Sequence, residues 1–244
     1  MKTAFFKVIA INVCLLFMSM NGLSEEKPLP STVVKLVGDA RWSNDDGKTW
    51  KPLKVGQKLE SRLVIQTATF GRAYILLGED VHSLIENSHA GGALFDPEQY
   101  PENLIGLLDN SALDLISVRH EANTRKTPPV EQTELKLRGG TMLANVKQLS
   151  TNSLFLIRCS TNAALKMQSA VAQIAATGDF VVFKGTVNVS LLEKQFTTNV
   201  VALQRFDAMT MTATNFDSPY NNWKHDIWLP SDPVYENWAR QPKR

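Results

Sequence analysis

Two adjacent carboxylates, Asp45 and Asp46, are the pair in this chain best suited by type and spacing to do chemistry. They lie in Ser43-Asn44-Asp45-Asp46-Gly47-Lys48-Thr49-Trp50, which follows the S-x-D-x-G-x-T-W pattern of an Asp-box hairpin. Carboxylates placed together serve acid–base cleavage of a glycosidic bond or capture of a hard cation such as Ca²⁺. A Ca²⁺ ion wants about six to eight oxygens, more than this stretch supplies. The same residues also build a turn. Asp and Asn side chains hydrogen-bond the backbone two residues on, and Gly47 supplies the positive φ that the reversal needs. Thr49 and Trp50 restart a strand, and Trp50 is placed to fold over the hairpin. On that reading Asp45, Gly47, Thr49 and Trp50 are structural.

No other group of residues makes a catalytic set. His82, His89, His120 and His225 lack paired metal-ligand spacing. His82 and His89 stand near Glu79, Asp80 and Glu86 in a Gly-containing stretch, which reads as a weak cation site or a solvated loop. Cys159 falls on the alternation Phe155, Ile157, Cys159, the pattern of a buried thiol. No G-x-S-x-G, P-loop or dinucleotide fingerprint occurs. The sequence therefore assigns no catalytic residue, no metal ligand and no cofactor.

The chain's beginning gives an expected compartment. Lys2 and Lys7 precede an apolar run from Val8 to Met20, and Gly22-Leu23-Ser24 offers a small-residue exit before Glu25. That is the layout of a secretory signal peptide, with cleavage after Ser24. The run is short of the ~20 apolar residues that span a bilayer. The expected mature protein is periplasmic or secreted, with no membrane span. Lys2 and Lys7 account for the whole excess of 26 basic over 24 acidic residues. A balanced chain has no overall electrostatic pull toward nucleic acid or an anionic membrane. Cys14 leaves with the signal, so Cys159 has no intramolecular disulfide partner.

The elements that must hold the hairpin are strands. Period-2 apolar runs recur at roughly ten-residue spacing and end at Gly, Asn, Asp or Pro. Examples are Val33 to Val37, Leu59 to Gln66, Ala73 to Leu77, Leu104 to Leu108, Leu113 to Val118, Met142 to Val146 and Ser153 to Cys159. Ala163 to Met167 and Val171 to Ala175 read as two strands, as do Phe180 to Phe183 and Thr186 to Leu191. The pattern predicts an all-β fold of many short strands, a two-sheet sandwich or a short β-solenoid. Two stretches, Glu86 to Asn103 and Arg119 to Glu134, are polar enough to read as loops. The expected organisation is a signal peptide over 1–24, a linker over 25–32, a β-domain over 33–212 and a tail over 213–244. That tail carries Trp223, Trp228, Tyr235 and Trp238 among prolines. It suits a partner surface or a plug that wraps back over the sheet ends.

Laid in order, these pieces resemble a known family. Val34 to Leu36, Gly38-Asp39-Ala40, Trp50-Lys51-Pro52-Leu53, Gly56, Leu59, Ile65-Gln66-Thr67 and Ala73 to Leu76 resemble the start of FecR-like domains. Leu135-Lys136-Leu137-Arg138-Gly139-Gly140, followed by Ala144 to Leu149, resembles that family's second block. Phe155 to Ile157 and Val182 to Val189 match its later strands, so the likeness covers about Val33 to Leu191. The family's usual Arg-Gly-Thr turn is replaced by Lys166 to Ala170, and its Thr-Pro by Cys159-Ser160-Thr161. Signalling FecR proteins also carry a cytoplasmic segment and a membrane span where this chain has its signal-like segment, so their sigma-factor relay does not transfer. The resemblance implies a non-enzymatic binding or scaffold domain whose partner is a protein or glycan of the cell envelope. Two alternatives stand beside it: a carbohydrate-active hydrolase built on the single Asp-box, and an adaptor in an envelope signalling complex. Propellers that use the Asp-box repeat it from blade to blade, and here it occurs once.

Overall fold

The computed structural model describes residues 26–78, 103–121 and 130–215. Within them the regular structure is all strand apart from one 3-10 turn at Leu192–Lys194. The strands hydrogen-bond in two rows. The first runs β5 (Lys58–Leu59), β2 (Ser31–Val37), β7 (Arg72–Leu77), β8 (Asn103–Leu107) and β11 (Thr141–Val146). It continues through the second half of β13 (Ala163–Ala175), the first half of β14 (Phe180–Leu191), β16 (Gln204–Asp207) and β17 (Thr212–Asn215). The second row runs β4 (Lys51–Pro52), β3 (Ala40–Ser43), β6 (Leu63–Thr67), β9 (Ala112–Glu121), β10 (Val130–Gly139) and β12 (Leu154–Cys159). It ends on the first half of β13, the second half of β14 and β15 (Phe196–Val201). A short β1 (Glu26–Pro28) pairs with the far end of β9. Among these pairs β10–β12 is parallel.

Because β13 and β14 belong to both rows, the sheet is continuous and curls over one core. Leu113, Leu115, Leu135, Leu137, Phe155 and Ile157 point inward from the second row, and Ala73, Ile75, Ile105, Met142 and Ile174 from the first. The all-β expectation holds. Strand pairing also extends into segments read as linker and loop, since β1 lies within 25–32, β9 reaches Glu121 and β10 starts at Val130. That corrects the reading of Arg119 to Glu134 as a loop. Its residues are polar because this part of the ladder, Arg119 opposite Gln132 and His120 opposite Glu131, runs on past Val118, the last core residue of β9. The rest of that stretch and most of Glu86 to Asn103 lie outside the described residues.

In sequence, the two long strands β13 and β14 each look like a pair. Their ladder carries register shifts at Met167/Ser169 and Val171/Ala172. Met167 and Ala170 both face the core although they are three residues apart, and Val182 and Val187 do so five apart. An odd spacing inverts the alternation, which looks like a strand end in sequence but is a bend here. In β7 both faces are buried: Tyr74 and Leu76 are as inaccessible as Ile75. That accounts for its unbroken apolar run.

Four crossings between the rows stack into one corner: Gly38-Asp39, Ala68 to Gly71, Leu108 to Ser111, and Gly139-Gly140. Their backbones are cross-linked. The Ala68 amide donates to the Asp39 carbonyl (2.9 Å), Asn110 to Ala68 (3.1 Å), Leu108 to Thr141 (3.0 Å) and Ala176 to Gly140 (2.9 Å). Two buried hydroxyls complete the ladder. Thr67 Oγ1 accepts from the Ser111 amide (3.0 Å) and donates to the Leu108 carbonyl. Ser111 Oγ accepts from the Thr141 amide (2.8 Å) and bonds the Thr141 carbonyl (3.0 Å).

Gly140 has φ +75°, and a Cβ there would stand 2.1 Å from Ser111 Oγ and 2.7 Å from the Asn110 carbonyl oxygen. Strain and backbone clash therefore combine at this position. Gly140→Ala is expected to lower stability by more than ~1 kcal/mol, the usual cost of denying a positive φ. Urea unfolding followed by circular dichroism reads it, and an unchanged midpoint would contradict the corner's role.

Candidate functional site

Between β3 and β4 the chain reverses through residues 44–50, and the side chains of this hairpin are engaged with one another. Ser43 is buried and its Oγ accepts from the Gly47 amide (2.9 Å) and the Asp45 amide (3.3 Å). Asp45 Oδ1 accepts from Ser43 Oγ (2.6 Å) and the Thr49 amide (2.9 Å), and Oδ2 accepts from Thr49 Oγ1 (2.5 Å). Asp45 thus reaches four residues on, not the two that an Asx-turn requires. These bonds, from Ser43 first and then Thr49, hold its carboxyl well below the usual carboxylate range. A general acid needs the opposite shift. Asp45 is placed to close a turn and remain ionised.

Gly47 has φ +86°, and its missing Cβ would meet Trp50 Cζ2 at 3.1 Å, so Trp50 does fold over the hairpin. Arg41 from β3 lies over the Trp50 ring, 4.6 Å from its centroid, and donates to Gln66 Oε1 through Nε (3.0 Å) and Nη2 (2.8 Å). Lys51 stands 5.1 Å from the Trp42 centroid.

Asp46 has a different partner. It is ion-paired with Arg138 Nη2, while Arg138 Nε lies 2.5 Å from Asp114 Oδ1. The two carboxylates push the Arg138 guanidinium pKa up, Asp46 contributing most. Asp45 and Asp46, adjacent in sequence, therefore serve separate structures. One closes the hairpin; the other ties it to β10. Local sequence gives no sign of Arg138, Asp114, Arg41 or Gln66 as partners. Arg138 is 92 positions from Asp46, and only the pairing of β3 with β6, β6 with β9 and β9 with β10 brings them together.

Trp223, Trp228, Tyr235 and Trp238, read as a partner surface, lie outside the described residues, as do His82, His89 and His225. His120 is in β9. Among the described residues no three of His, Cys, Asp and Glu gather where they could hold a metal ion, and no helix is long and apolar enough to cross a membrane. Cys159 is buried in the core, and burial pushes its thiol pKa up to about 12.

No family model and no curated protein matches the chain. Among solved structures it is similar to a protein from Parabacteroides distasonis ATCC 8503 described as a candidate anti-sigma factor, seen at 1.65 and at 2.50 Å resolution. The identity is 12% and the TM-score 0.40, with 63% of this chain and 59% of the other covered. This chain thus matches less than two thirds of that protein's length, and so distant a likeness carries no argument about function.

Asp45→Asn is expected to destabilise the fold, with a loss that depends on pH. The folded carboxyl titrates below its unfolded value of about 4, so its contribution is complete above that pH and fades as pH falls toward the lower folded pKa. The gap in melting temperature between wild type and variant should be constant from pH 7 to about pH 5 and narrow below about pH 4. A gap that widens on acidification would contradict the assignment. Cys159 should resist thiol reagents at pH 8 in the native protein and react on unfolding, read by absorbance with a disulfide reagent.

Proposed function

We propose that the chain is an extracytoplasmic, non-enzymatic FecR-like domain that binds or scaffolds a component of the cell envelope. The observation that carries this reading is the commitment of the hairpin's carboxylates to structure, Asp45 to Ser43 and Thr49, and Asp46 to Arg138. The residues of the FecR-like blocks support it by their positions. Leu53, Leu59, Leu135, Leu137 and Val146 lie in the core, and Thr67 and Gly140 form the corner. What resembles the family is therefore what folds the domain, and the resemblance leaves the ligand open. Extracytoplasmic placement rests on Lys2, Lys7, the run Val8 to Met20 and the small residues before Glu25.

Two measurements test the reading. Expression in a bacterial host should yield an envelope-fraction product whose N-terminal sequence starts at Glu25; full-length cytoplasmic product would refute the placement. Immobilised mature chain should enrich a partner from envelope extracts, with capture reduced by Trp50→Ala/Arg41→Ala. Turnover on a polysaccharide panel that is abolished by Asp45→Asn or Asp46→Asn would instead establish the hydrolase.

A further inference from the structure

The chain's overall charge balance conceals a local excess. Between Arg41 and Arg62 stand six exposed basic residues, Arg41, Lys48, Lys51, Lys54, Lys58 and Arg62. None of them is ion-paired with a described carboxylate. Three acids share the stretch, Asp45, Asp46 and Glu60, so six bases face three carboxylates, of which Asp46 is also paired with Arg138. Two cations elsewhere on the second row have an acid beside them: Arg158 pairs with Glu134 at 2.6 Å, and Lys136 lies opposite Asp114 in the ladder.

This stretch is also fixed in place. It runs from β4, at the margin of one row, to β5, at the margin of the other. The Leu53 amide donates to the Ala40 carbonyl (2.9 Å), Gly56 to Val33 (2.8 Å) and Val33 to Gln57 (3.0 Å). Leu53 and Leu59 are buried beneath it. The basic side chains therefore project from a backbone anchored at both ends, which lowers the ordering cost of binding. Trp50, half-buried in the same strip, lies beside Arg41, whose guanidinium is 4.6 Å from its ring centroid; Trp42, reached by Lys51, packs against the core instead. An aromatic side chain beside positive charge suits a ligand made of sugar rings bearing acidic groups.

We propose that the strip from Arg41 to Arg62 binds an anionic glycan, a polysaccharide carrying carboxylate, sulfate or phosphate groups. The inference rests on the binding-domain reading and names its ligand class. Its charges are exposed, so the interaction is salt-sensitive; the Trp50 ring separates it from simple counter-ion attraction.

The test uses the mature chain with polygalacturonate, heparin and neutral dextran on a biosensor surface, and duplex DNA as a non-glycan polyanion. Wild type should bind both acidic glycans, with dextran giving no signal and DNA binding weaker. Lys51→Glu/Lys54→Glu should lower glycan affinity about tenfold, while Lys136→Glu/Lys166→Glu, with the same change of charge, should stay within about twofold. Trp50→Ala should weaken glycan binding and leave the salt dependence unchanged. Urea midpoints of all variants confirm that each is folded. Equal losses in the two charge-reversal variants would overturn the strip, as would DNA binding at least as tight as glycan binding, or no response to either glycan. Envelope partners still captured by Lys51→Glu/Lys54→Glu would then show that the binding-domain reading survives without it.

Discussion

The corner at which the sheet turns on itself is the constraint from which the rest follows. Four chain reversals meet there; their tips at Gly38-Asp39, Ala68 to Phe70, Asn110 and Gly140 reach solvent, but the strand ends beneath them, at Thr67, Leu108 and Ser111, are buried and need partners outside the regular ladder. An unsatisfied buried polar group costs about 1–3 kcal/mol, so a corner of this length needs its own hydrogen bonds. Thr67 and Ser111 supply them by acting as donor and acceptor at once, in sites with almost no solvent contact. Gly140 allows the backbones to approach closely enough for that ladder to form. A larger residue there would separate β10 from the Ser111 turn and unpair several groups together.

What the corner fixes, the surface inherits. It sets the direction in which β3, β6, β9 and β10 leave, and therefore which side chains share the outer surface. Asp46 meets Arg138 because the ladder carries β10 alongside β9 and β9 alongside β6. The hairpin is thus held twice. Asp45, Ser43 and Thr49 close it locally, and Arg138 binds it to a strand far along the chain. An exposed ion pair by itself contributes little, but Arg138 is shared by two carboxylates and orients a turn already closed. Its effect is to select one position for the turn.

Much of the fold was legible because it depends on local rules. Alternating apolar residues marked the strands, Gly47 marked a positive φ, and the phase of Phe155, Ile157 and Cys159 placed the thiol in the core. Legibility failed where long-range pairing decides. Register shifts, at Gln168 in β13 and at Phe183 in β14, inverted the alternation and made each strand look like two. The polar ends of β9 and β10 looked like loop because they pair beyond the main core. Of the candidate site, the turn residues could be read directly. Arg138, Arg41 and Gln66 could not, since nothing near the Asp-box in sequence specifies which strands will lie beside it.

The two aspartates show why residue type and spacing leave function open. A carboxylate can act as an acid, a base, a metal ligand or a cap, and its hydrogen bonds decide which. Asp45 accepts from two hydroxyls and an amide, which favours the ionised form and leaves it poorly suited to give up a proton. Net charge is incomplete in the same way. Balance between acidic and basic residues is a sum over the whole chain, whereas a ligand meets only the charges on one surface. Between Arg41 and Arg62 six exposed bases stand against three acids, of which Asp46 is paired with Arg138 while Asp45 keeps its charge in the turn. The geometry that takes the aspartates out of catalysis leaves that surplus as it is: the strip is positive by its own composition, a local sum that the whole-chain balance conceals.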